Sequence, residues 1–173
     1  MANIVFLSHC LLNNLSKVEP FENRNKELIS FLLKNKVEIV QMPCPEYTLY
    51  GGRRFGQVKE QYDTPFFKKH CKNISESMVD QMNEYIRNGH NIIGIFAIKG
   101  SPTCGYLHTV SGPSWGGEIN NRTQELLNNT FLVKESGIFI EELLKILPEK
   151  LKIFEVDEEN IEDTIRQYLE LMK

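Results

Sequence analysis

Short apolar runs alternate along this chain with segments whose apolar residues recur every three or four positions. The runs at residues 4–7, 37–42 and 92–98 read as strands, and the last, apolar at nearly every position, fits a central strand buried on both faces. Leu28, Phe31 and Leu32 form one stripe of a helix over residues 24–34. Thr64 and Pro65 supply an N-cap and a first-turn proline for a longer helix. Ile74, Met78, Met82, Tyr85 and Ile86 keep helical spacing in it until Asn88 and Gly89 stop it. Between these lies a polar and aromatic excursion, residues 47–62, and beyond the third strand a Gly-rich loop, residues 100–117. The remainder predicts helical character over 118–127, a short strand at 131–133 and a helix at 138–147. A strand at 152–156 follows, then a last helix with Ile161, Ile165, Tyr168, Leu169 and Met172 on one face.

This alternation predicts an α/β fold: a single-domain, Rossmann-like open parallel sheet flanked by helices on both faces, spanning residues 1–173. No repeat or linker-like tract divides the chain. A net charge of -3 leaves no general basic surface, so sequence-independent nucleic-acid binding is not expected. The apolar stretches are too short for a membrane span, and residues 1–7 carry no basic leader, so a cytoplasmic protein is expected. Four cysteines scattered over the chain are too few for a secreted disulfide framework and should be thiols or ligands.

Three of them share one topological address: Cys10 follows the first strand, Cys44 the second and Cys104 the third. Ligand sites of open parallel sheets lie outside the carboxyl ends of the strands, where the strand order reverses. With the order 2-1-3, Cys10 would sit between the other two, whose strand tips would lie on the order of 10 Å apart. Pro43, Pro45 and Pro102 fix tight backbone around these positions, and Gly100 and Gly105 let amides approach a ligand. Three thiolates suit a zinc ion completed by a histidine or water, or a 4Fe-4S cluster with one iron free of protein. The absence of any C-x-x-C pair favours the cluster. His9, beside Cys10, is the histidine that could complete a zinc site, although neighbours in an extended segment face opposite ways. Cys71, in a helical stretch, reads as an inert core residue, and His70 and His90 as surface residues.

The segments Ser8-His9-Cys10-Leu11-Leu12, Pro43-Cys44-Pro45-Glu46 and Gly100-Ser101-Pro102-Thr103-Cys104-Gly105 resemble the thiouracil desulfidase family. They look closest to a subgroup of related desulfidases with a stretch similar to residues 54–63. The resemblance implies a 4Fe-4S cluster on Cys10, Cys44 and Cys104, with Glu46 and Ser101 as proton-handling groups. The activity it implies is non-redox removal of sulfur from a thiolated small molecule, with oxygen in its place and sulfide released. After Cys10 the chain reads Leu-Leu-Asn-Asn-Leu-Ser-Lys, which departs from the family's better-known Gly-x-x-x-Arg-Tyr type; those positions help form the family's substrate pocket, so the resemblance implies a thiouracil-like thiocarbonyl without fixing thiouracil itself.

For the substrate, Arg53 and Arg54 are candidate anion-binding groups, Trp115 a stacking surface and His108 a further pocket residue. The partners expected are a small thiolated molecule and no membrane, and a homodimer is left open. The rival readings are a sulfur or cluster carrier and a zinc-dependent hydrolase.

Overall fold

The structure, a computed structural model, describes residues 1–19, 25–148 and 151–172. The start of the first long helix as expected, at Arg24, lies outside them. Strand β1 (Asn3–Leu7) leads into a short helix α1 (His9–Leu12), and helix α2 (Lys26–Lys34) into strand β2 (Val37–Gln41). Two short helices follow, α3 (Pro45–Tyr50) and α4 (Lys59–Tyr62), where the sequence suggests only an irregular excursion. Helix α5 (Pro65–Arg87) then precedes strand β3 (Asn91–Ile98).

The Gly-rich loop contains a strand of its own, β4 (Thr109–Ser111). The stretch after it is a 3-10 turn (Ile119–Asn121) and a short helix α6 (Gln124–Asn128), not one continuous helix. Strand β5 (Phe131–Val133) pairs antiparallel with β4. Helix α7 (Ile138–Leu144), strand β6 (Lys152–Val156) and helix α8 (Ile161–Leu171) complete the chain.

The main sheet is parallel throughout, in the order β2-β1-β3-β6. The chain therefore reverses direction across the sheet between β1 and β3, which opens a crevice at the carboxyl edge. Phe6, on β1, meets Tyr85 of α5 edge-on, whereas Phe96 and Phe154 pack against Tyr168 of α8. With α7 packed on α5 and α2 on α8, both faces are covered. Burying each such ring removes apolar area worth about 1.5–3 kcal/mol. Gly94 of β3 shows how tightly β6 docks, since a Cβ there would lie 2.4 Å from the Lys152 carbonyl oxygen and 3.0 Å from the Phe154 ring.

Helix α5 starts as expected, with Thr64 Oγ1 accepting the Phe67 amide at 3.2 Å and Pro65 in the first turn. Its fully buried stripe is Phe67, Cys71, Ser75, Val79 and Met82, while Ile74, Met78 and Tyr85 pack beside it half-buried. Cys71 thus sits in the core, where burial pushes its thiol up to about 12. No described helix is long and apolar enough to cross a membrane.

Candidate active site

All three strand-end cysteines line one cavity of about 430 Å³ at the carboxyl edge of the sheet. Cys10 does not lie in a loop: α1 turns immediately after β1, so His9 and Cys10 are on a helical turn and not in extended backbone. The His9 ring nitrogen Nδ1 is 3.1 Å from the Met42 carbonyl oxygen, which ties this turn to the end of β2. His9 does not line the cavity, and among the described residues no three His, Cys, Asp or Glu side chains converge closely enough for a single metal ion. His9 is therefore not placed to complete a Cys3His zinc site from this cavity. Three thiols around one cavity are a donor set that suits a 4Fe-4S cluster with one iron free of protein, or a zinc ion completed by water.

Cys44 is the N-cap of α3, its sulfur accepting the Tyr47 amide at 3.3 Å, with Pro45 in the first turn. Cys104 sits on a loop bonded to itself: Ser101 Oγ accepts the Cys104 amide at 2.9 Å, and the Cys104 carbonyl accepts the Ile98 amide at 3.0 Å. Helix α7 grips this loop from behind, because the Phe139 and Ile140 amides both donate to the Thr103 carbonyl. Gly137 permits that contact, since a Cβ there would lie 2.5 Å from the Thr103 carbonyl carbon. Gly137→Ala should accordingly cost about 1–3 kcal/mol by overpacking. The check is a lower urea midpoint at unchanged m-value, and an unchanged midpoint would show that the helix yields freely.

Burial raises all three thiols. Cys10 is pushed up to about 12 although nearby Lys17 opposes the shift, and Cys44 is raised despite the Tyr47 amide. Cys104 is pushed well up by burial and by the proximity of Cys44 and Cys10. A cationic guest would reverse this balance by replacing the protons.

Glu46 and Ser101 come together through a residue that sequence reasoning missed. The buried Thr103 hydroxyl donates to Glu46 Oε1 at 2.7 Å, lies 3.5 Å from the Cys104 sulfur, and is 3.4 Å from Ser101 Oγ. Arg54 lines the cavity, but its guanidinium is committed: Nε donates to Glu46 Oε2 at 2.9 Å and Nη2 to the Ser16 carbonyl at 2.7 Å. It positions the carboxylate and is not free to receive a substrate anion. Tyr62 packs behind, and burial together with Glu46 drives its phenol upward. Lys17, unremarked in the sequence, also lines the cavity and holds Glu158 at 2.5 Å, while Lys99 holds Asp157 at 2.7 Å.

The remaining expected residues lie elsewhere. Arg53 is exposed and does not line the cysteine cavity. His108 belongs to a separate cavity beside Tyr106 and Lys134, its ring held by Glu155 at 2.7 Å. Trp115 does not line the cysteine cavity but a small neighbouring groove that shares Gly56 and Arg122 with it, and the Arg122 guanidinium lies over its ring. His70 and His90 are half-buried and structural: the first bonds to Thr48 and the Pro45 carbonyl, the second accepts the Ala2 amide.

No protein-family model matches the chain. Over 104 residues it is 36% identical to an uncharacterized protein of Methanocaldococcus jannaschii, a match spanning 58% of this chain and 66% of that relative, just under two thirds of its length. Among solved structures, a [4Fe-4S]-dependent thiouracil desulfidase, TudS, superposes over 99% of both chains with a TM-score of 0.56 at 17% identity. The chain shares the TudS fold. At that identity the TudS likeness speaks for the arrangement of strands and helices and not for the residues of the cavity.

Proposed function

We propose that this chain is an iron-sulfur-dependent, non-redox desulfidase that exchanges the sulfur of a thiocarbonyl compound for oxygen and releases sulfide. The observation that carries the reading is the meeting of Cys10, Cys44 and Cys104 on one cavity that Glu46, Ser101 and Thr103 also line. The TudS fold and the motifs around the three cysteines support it. When bound by the three thiolates, a 4Fe-4S cluster would supply an iron without a protein ligand, a Lewis acid for the substrate sulfur.

The protein's own groups then handle protons and position. Glu46 accepts a proton from the water that attacks the thiocarbonyl carbon, as a buried carboxylate in reach of the cavity can. Arg54 supplies its counter-charge and fixes its orientation. Ser101 offers a hydroxyl donor at the cavity wall, with Thr103 connecting it to Glu46. The carbon gains oxygen, and the sulfur leaves as sulfide with the protons that water brought.

Anaerobic reconstitution with iron and sulfide should give a brown protein with about four irons per chain. Turnover of thiolated pyrimidines should release sulfide and the oxygenated base in equal amounts. Glu46→Gln should keep its iron and lose about 10²–10⁴ in rate. A colourless protein, or a Glu46→Gln variant as fast as the parent, would end the respective part of the reading.

A further inference from the structure

Glu155 stands on β6 between the buried Phe154 and Val156, and its own side chain is only 9% exposed. A carboxyl group placed there destabilises the fold unless its oxygens are hydrogen-bonded. Both of them are. Oε1 accepts the Leu107 and His108 amides at 2.8 Å and the Tyr106 amide at 3.3 Å, and the His108 ring donates from Nδ1 to Oε2 at 2.7 Å. Three consecutive amides on one oxygen wrap the turn at residues 106–108 around it.

That turn is the outer end of the loop that carries Ser101 and Cys104, and the loop is closed at its neck. The His108 carbonyl accepts the Gly100 amide at 3.1 Å. The Ser101 carbonyl accepts both the Gly105 amide at 3.0 Å and the Thr109 hydroxyl at 2.9 Å. A displacement of residues 106–108 is therefore passed on to Ser101 and Cys104. Helix α7 holds the same loop from the other side, where the Gly137 amide donates to the Gly105 carbonyl at 2.9 Å. Neither Glu155 nor His108 lines the cysteine cavity, so any effect they have on it runs through the loop.

We infer that Glu155 is a positioning residue: by gathering the turn at 106–108 it sets Ser101 and Cys104 against the cavity, and His108 steadies its second oxygen. The inference rests on the desulfidase reading for what the loop serves. What holds the loop is read from the hydrogen bonds of Glu155.

The test compares the parent with Glu155→Ala, Glu155→Gln and His108→Phe. In the iron-free protein, amide hydrogen exchange over residues 100–109 should quicken about tenfold in Glu155→Ala, while β1 and α5 exchange at the parental rate. After anaerobic reconstitution, the same variant should lose iron to a chelator about tenfold faster and show a kcat about tenfold lower at unchanged KM, because the Ser101 hydroxyl is displaced. Glu155→Gln should restore most of each value, since its carbonyl oxygen still accepts the amides and its NH2 group meets the other tautomer of His108. His108→Phe keeps the three amides on Oε1 and should fall between, with loop exchange quickened about threefold, and it carries the test should Glu155→Ala fail to fold. Parental exchange over residues 100–109 in these variants, or a quickening spread evenly over β1 and α5, would overturn the inference. A loosened loop in a protein whose parent turns over no thiocarbonyl compound would defeat the desulfidase reading alone. Parental turnover and iron retention in Glu155→Ala would defeat this inference alone.

Discussion

Exchange of Cys104 for alanine is expected to abolish iron uptake and desulfidation together while the chain stays folded. The loop that carries Cys104 is held by backbone and hydroxyl contacts, through the Ser101 hydroxyl, the Ile98 amide and the first turn of α7. None of these uses the sulfur, so removing it should cost about 1 kcal/mol of stability. A cluster anchored by two thiolates in place of three lacks the ligand set that its geometry requires. Iron analysis after anaerobic reconstitution should therefore fall from about four atoms per chain to near none. Cys71→Ala is the matched control, because Cys71 is buried in the core and lines no part of the cavity. A Cys104→Ala protein that still binds four irons would remove the proposed centre.

The second large effect is on stability. The Arg54–Glu46 pair is buried, with side-chain exposures of 7% and 10%. Arg54→Met would leave the Glu46 carboxylate inside the protein with the Thr103 hydroxyl and the neighbouring Tyr62 phenol but without its guanidinium. Breaking one side of a buried pair costs about 3–5 kcal/mol, since the remaining charge loses its partner without regaining water. Urea unfolding of Arg54→Met, Glu46→Gln and the double variant measures this as a cycle. The double variant should recover much of the loss. Additive losses, or an Arg54→Met cost below about 1 kcal/mol, would mean the carboxylate is solvated by other means.

The strands β1, β2 and β6 are legible because apolar runs of strand length are bounded by turn residues, and β3 because it is buried along almost its whole length. The order 2-1-3 supposed for the first three strands is the one the sheet has, and with it comes the common edge of Cys10, Cys44 and Cys104. Helix α3 escapes notice because six residues are too few to show a period and its N-cap is a cysteine. Strand β4 has only three residues, and it exists because β5 lies opposite.

The side-chain pairings are harder still. That Arg54 belongs to Glu46 and not to a substrate, or that Thr103 links Glu46 with Ser101, depends on contacts between separate loops. Residue type announces a guanidinium but not its partner. Arg122 is invisible for the same reason: of the two rings its guanidinium lies over, Phe55 and Trp115, the first comes from a distant part of the chain.

Because the three thiols issue from separate crossovers of one sheet, whatever they grip in common acts as a keystone. Such a tie would cinch far-apart stretches of polypeptide and shrink the freedom of the unfolded coil. Loading would then add to the stability of an already folded chain: the filled protein should resist melting beyond the bare one, and a chelator should loosen the upper rim of the sheet.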